Sequence, residues 1–143
     1  MKKIILFFLL ALLLAACRAR EQTPFVAGTP VEIVQKYYAA WGAKDYKTMY
    51  TLVSDGWKAL EPTAHTELRF ANHLGGFYKS AKAIRLVFAS EQSNTGSQSV
   101  VSAALEVETM DGRFVLANQT VVLRLKDNGW KLIHPYGEFT DLS

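Results

Sequence analysis

Halfway along this chain the hydrophobic pattern changes period. From Pro30 to Leu74 apolar residues recur at helical spacing: Val34, Tyr37, Tyr38 and Trp41, then Tyr46, Met49, Tyr50 and Val53, then Leu68, Ala71 and Leu74. From Ile84 onward they recur at every second residue: Ile84, Leu86 and Phe88, then Val101, Ala103, Leu105 and Val107. Helices first and strands afterwards do not interleave into a parallel sheet. The pattern therefore predicts α+β, with three N-terminal helices followed by about four antiparallel strands.

Local chemistry punctuates this pattern. Thr29-Pro30-Val31-Glu32 forms a capping box with proline at the first helical position, and Gly42 is a stop. Asp45 is a second N-cap, and Ser54-Asp55-Gly56 is turn chemistry. A third helix is expected from Pro62-Thr63, weakened at Gly75-Gly76. Residues 93–97 (SNTGS) form a loop, Asp111-Gly112 marks a hairpin, and Lys126 to Gly129 turn again. Between them run a long strand from Phe114 to Leu125 and a last strand marked by Trp130, Leu132 and His134.

The segment ahead of this domain has a different character. Met1-Lys2-Lys3 is basic, and Ile4 to Ala16 is an unbroken apolar run. The run is shorter than the roughly 20 residues a bilayer-crossing helix needs, and it fits a secretory h-region. It ends in Leu14-Ala15-Ala16-Cys17, which resembles the bacterial lipobox. The resemblance implies that 1–16 is a lipoprotein signal peptide and that Cys17 carries a thioether-linked lipid. An ordinary secretory signal is the alternative. Against it, Cys17 is the only cysteine and has no disulfide partner. Residues 17–28 then hold the lipidated cysteine and a polar tether, and 29–143 the domain. The anchored chain would face outside the cytoplasm in a bacterial envelope. Arg18 is not the aspartate that typically retains lipoproteins on an inner membrane, so an outer membrane is expected where there is one.

The formal charge of +3 owes much to the leader. Without Lys2 and Lys3 the chain carries 14 basic against 13 acidic side chains, which gives no support for nucleic-acid binding. The membrane, through the lipid, is the expected partner.

The stretch Pro30–Ser54 contains Tyr38, Ala40, Trp41, Gly42, Asp45-Tyr46 and Leu52-Val53-Ser54. In this order these residues resemble the opening of the nuclear transport factor 2-like superfamily. Asp127 to Ile133 (DNGWKLI) suits the last hairpin of a bacterial branch found on small lipoproteins and on some penicillin-binding proteins. The resemblance spans Thr29 to Pro135. It implies a cystatin-like cone, with the helices packed on a strongly curved antiparallel sheet and space for a pocket between.

Within such a cone Tyr37, Tyr38, Trp41, Tyr50 and Phe70 line the pocket or simply fill it as core. Asn118 and Gln119, polar in the long strand, face either a ligand or solvent. Comparison with the isomerases of the superfamily places their tyrosine donor at Tyr37 and their general base near Glu61. A phenol and a carboxylate could stabilise an enolate and move a proton. The late-strand acid of those enzymes has no counterpart in Gln119 to Val122, and Glu61 beside Pro62 reads as an exposed loop acid. The histidines His65, His73 and His134 lack metal-ligand spacing, and no cofactor motif occurs. The leading expectation is a lipid-anchored binding or accessory module of the cell envelope, taking a small apolar ligand or an envelope protein. An isomerase- or cyclase-type enzyme using Tyr37 and Glu61 is the alternative, and a structural domain that homodimerises through its sheet is a third.

Overall fold

The computed structural model describes residues 28–143. The leader, Cys17 and the tether up to residue 27 lie outside the described residues. Helix α1 spans Pro30–Gly42. The capping box forms as expected: Thr29 Oγ1 accepts from Glu32 N at 3.3 Å, and Glu32 Oε2 accepts from Thr29 N at 2.7 Å. Ile33, Val34, Tyr37, Tyr38 and Ala40 make its buried face. Gly42 ends it where a Cβ would lie 2.8 Å from the carbonyl oxygen of Ile84, so only glycine lets the helix press on the strand.

Helix α2 spans Tyr46–Leu52 and is capped by Asp45, whose Oδ1 accepts from Thr48 N at 3.0 Å. The segment expected to turn at Ser54-Asp55-Gly56 instead opens a further helix, α3, Asp55–Leu60. Ser54 Oγ accepts from Trp57 N at 3.2 Å, an N-cap made from turn-type residues. The helix expected from Pro62 begins as a 3-10 turn, Pro62–Ala64, and becomes helix α4 at Glu67–Gly75. A second 3-10 turn, Gly76–Lys79, carries Phe77 and Tyr78.

Four antiparallel strands follow in the order of the chain: β1 Ala81–Asn94, β2 Gln98–Thr109, β3 Phe114–Lys126 and β4 Gly129–Leu132. β1 contains three register shifts against β2, and each such bulge bends and twists the sheet. The shift between Leu86 and Phe88 also corrects the sequence expectation. Phe88 pairs with Ala104 instead of continuing the face of Ile84 and Leu86, and it is exposed. His134 lies past the end of β4, with Nδ1 2.6 Å from the carbonyl of Phe139.

The core lies between the helices and one face of the sheet. Val101, Ala103, Leu105, Val121 and Leu123 meet Ile33, Val34, Tyr37, Met49, Leu52, Trp57 and Phe70. The free side of β4 is covered by the chain after α2, where Ser54 N donates to Leu132 O at 2.9 Å. Residues 133–143 form a strap outside any helix or strand. Among the described residues no helix is long and apolar enough to cross a membrane.

Candidate functional site

The sheet's curvature and the spacing on α1, α2 and α4 bring the expected aromatic residues to the inside in two connected groups. Along α1, Tyr37 meets Tyr38 edge-on at 5.3 Å, Tyr38 stacks on Trp41 at 6.1 Å, and Trp41 leans on Phe77 at 5.0 Å. Beneath α4, Tyr50 meets Phe70 at 5.3 Å and donates its hydroxyl to the carbonyl of Ala64 at 3.0 Å. Tyr136 of the strap completes the second group. It lies edge-on to Trp57 at 4.8 Å and near-parallel to His73 at 4.5 Å.

Glu61 is not the exposed loop acid that its place beside Pro62 suggests; it is only 7% exposed. Its Oε1 accepts from Thr63 Oγ1 at 2.7 Å and from Thr63 N at 3.2 Å. The strap backbone crosses it so closely that a Cβ on Gly137, at φ +78°, would lie 2.5 Å from Oε2. Thr63 Oγ1 is in turn 3.0 Å from the Tyr136 hydroxyl. A polar line thus runs from the carboxylate through a hydroxyl to a phenol.

Tyr37 is buried on α1, near enough to Tyr136 for a charge there to act on it. Burial pushes its phenol well above the ordinary value, and charge on Tyr38 or Tyr136 would push it further. Burial likewise holds Tyr38 at about 12. Tyr136 is also pushed up to about 12, chiefly by burial, with the Thr63 hydrogen bond opposing and the Glu61 charge adding. These phenols are neutral donors near pH 7, not bases. Both sequence candidates, Tyr37 and Glu61, are buried, and Glu61 is joined through Thr63 to Tyr136, two residues that sequence reasoning missed. No signal marked Tyr136, because it follows the last strand in an aperiodic segment.

Asn118 pairs with Ala104 on the face turned away from the core, the face that also carries exposed Phe88 across β2. Gln119 pairs with buried Ala103 on the core-facing side, but where the helices leave the sheet exposed. Neither lines the groove of about 480 Å3 between α1 and β1, which is bordered by Gln35, Tyr38, Ala39, Gly42 and residues 84–89. Lys131 is buried on β4, with Nζ 2.5 Å from the carbonyl of Thr51 at the end of α2. Burial, with Lys58 nearby, pushes its ammonium down to about 8. His65, His73 and His134 lie on separate elements. Among the described residues no group of three His, Cys, Asp or Glu side chains is placed to hold a metal ion.

Helices folded over a bent antiparallel meander around an aromatic interior define a cystatin-like, nuclear transport factor 2-like α+β domain. Residues 31–137 match the SnoaL-like domain, and the chain belongs to that family. No curated protein matches it. Solved structures share the fold at low identity. A nuclear transport factor 2-like protein of unknown function from Burkholderia pseudomallei is 17% identical, with TM-score 0.52, over 77% of this chain and 89% of that one. A cystatin-fold protein from Novosphingobium aromaticivorans is 12% identical, with TM-score 0.50, over 76% of this chain and 100% of that one. TerC, crystallised with polyporic acid, is 14% identical, with TM-score 0.51, over 71% of this chain and 86% of that one.

Proposed function

We propose that this chain is a lipid-anchored binding module of the bacterial cell envelope, not an enzyme. The observation that sets this reading against an enzyme is the state of the interior. Glu61 is tied to Thr63 and overlain by Gly137, and aromatic side chains fill the space a substrate would need. A general base must reach its proton directly or through one water, which a sealed carboxylate does not. The anchor half rests on Leu14-Ala15-Ala16-Cys17 at the end of the apolar run. A lipidated cysteine with more than one acyl chain gives stable membrane attachment. That TerC was crystallised with polyporic acid supports an organic ligand for a domain of this shape.

Cells expressing Cys17→Ala and fed an alkyne-tagged fatty acid are expected to show no labelled protein and to accumulate uncleaved precursor. Normal processing and labelling of that variant would remove the anchor from the reading.

The enzyme reading has one observation in its favour, the line from Glu61 through Thr63 to Tyr136. Glu61→Gln separates the two readings because it keeps the side chain's shape and its oxygen acceptor while removing the base. A binding module with Glu61→Gln should still complement a deletion strain at wild-type protein level. Loss of complementation at that level would favour proton transfer.

A further inference from the structure

The strap 133–143 crosses α3 from end to end. Tyr136 and Gly137 lie by Glu61, Thr63 and Trp57, and the Asp141 carboxylate lies against Gly56 at the other end. The strap's own backbone is closed on itself by Asp141 N donating to Ile133 O at 2.9 Å. Its Tyr136 ring is held as a bound aromatic molecule would be. His73 and Phe70 lie near-parallel to it, with centroids at 4.5 and 6.1 Å, and Trp57 meets it edge-on. The hydroxyl ends on Thr63, which is itself committed to Glu61. Trp57 is wholly buried, and its indole N–H has no hydrogen-bond partner among the described residues. Every wall of this box belongs to α3, the Pro62–Ala64 turn or α4, and only the occupant comes from the strap. A flat apolar slot with one polar group at its end is how proteins hold small aromatic ligands.

We propose that the box formed by Trp57, Phe70, His73 and Thr63 is a binding site for a planar phenol. Tyr136 is its built-in occupant, and the strap is the lid that carries Tyr136 out when a ligand enters. This rests on the reading of the domain as a binding module and adds the class of ligand. Thr63 sets the class: its hydroxyl, already bonded to the carboxylate, is left to meet a phenolic O–H. Gly137 sets the fit of the lid, because its backbone seals Glu61 only while it has no side chain. An attached occupant competes at high effective concentration, so the closed state lowers the apparent affinity of any free ligand.

The test uses the full chain in detergent micelles, with 4-hydroxybenzamide as probe and benzamide as control, both read by calorimetry. Tyr136→Ala is expected to bind the probe at least tenfold more tightly than wild type, and the probe at least tenfold more tightly than benzamide. In wild type, saturating probe is expected to speed cleavage by a Glu-specific protease after Glu138, as the lid leaves the box. Gly137→Ala is the second variant, for the case that Tyr136→Ala does not fold. It leaves every wall intact, forces the strap off Glu61, and is expected to raise probe affinity. Equal probe affinity in wild type and in either folded variant would overturn the proposal. So would equal binding of benzamide and probe, or unchanged cleavage at saturation. None of these readouts depends on Cys17. Loss of the anchor reading leaves this site standing, and failure of the probe leaves the anchored module standing.

Discussion

Replacing Trp57 by alanine is expected to lower the free energy of unfolding by about 4 kcal/mol, read from a urea titration of wild type and variant; large aromatic truncations in cores cost roughly 3–5 kcal/mol. Trp57 is 0% exposed and sits in the middle of a six-residue helix. A helix that short has no stability of its own in water, so α3 exists because this side chain packs. With the strap closed, its neighbours do not fill the void. Tyr136 is held by Thr63, and the strap is pinned again at Asp141. Trp57→Phe should cost much less, under about 2 kcal/mol. Phenylalanine keeps part of the apolar volume and deletes an N–H that lies buried without a partner among the described residues. Leaving such a donor unmet costs about 1–3 kcal/mol in the native protein, and phenylalanine removes that cost. Alanine and phenylalanine variants with the same midpoint would show that α3 does not depend on this packing.

The contrast between α1 and α3 explains what the sequence could and could not disclose. The capping box of α1 is settled within four residues, and the apolar face behind it repeats over three turns, so both signals are local and redundant. At Ser54-Asp55-Gly56 the same residue types serve a turn or an N-cap, and six residues give the pattern no second repeat to decide between them. The Asp111-Gly112 hairpin was legible because it needs a positive φ, which Gly112 adopts at 80°. The bulge at Val87 carried no such requirement, so nothing marked the turn of Phe88 to the other face. The candidate site divides in the same way. Tyr37, Tyr38, Trp41 and Tyr50 were legible as an inward aromatic set from spacing; on the expected third helix, α4, the spacing pointed to Leu68, which is 70% exposed, while Phe70 takes the buried face with Leu74. The burial of Glu61 was not. It arises from the strap, and the Thr63–Tyr136 contact beside it joins residues 73 apart, with no periodic signal on the later one.

Gly56→Ala is expected to destabilise the protein by about 2–4 kcal/mol, although alanine in a helix interior normally gains about 1 kcal/mol over glycine. The sign reverses because of what occupies the space. A Cβ on Gly56 would lie 2.5 Å from Cγ and Oδ1 of Asp141 and 2.6 Å from Oδ2, so the substitution expels a buried carboxylate. That carboxylate is well held: Oδ1 accepts from Ser143 N at 2.9 Å, and Oδ2 lies 3.0 Å from Lys126 Nζ. Burial works to raise its pKa, but hydrogen bonds from Ser143, Ser54 and Lys126 outweigh it and hold the group at about 2, below its ordinary 3.8. A carboxylate whose folded pKa is depressed stabilises the fold above its unfolded value and loses that contribution as pH falls through the folded one. Asp141 therefore contributes about 2 kcal/mol at neutral pH that disappears between about pH 4 and pH 2. Asp141→Ala leaves Lys126 without its carboxylate, and is expected to cost a similar amount as Gly56→Ala and to flatten the acid limb in the same window. The double variant decides the cause. With Asp141 already shortened to alanine, a methyl at position 56 no longer meets the carboxylate, so Gly56→Ala should there be neutral or stabilising by up to about 1 kcal/mol. If Gly56→Ala costs the same in both backgrounds, its effect does not run through the carboxylate, and the pinning of the strap at this end is wrong.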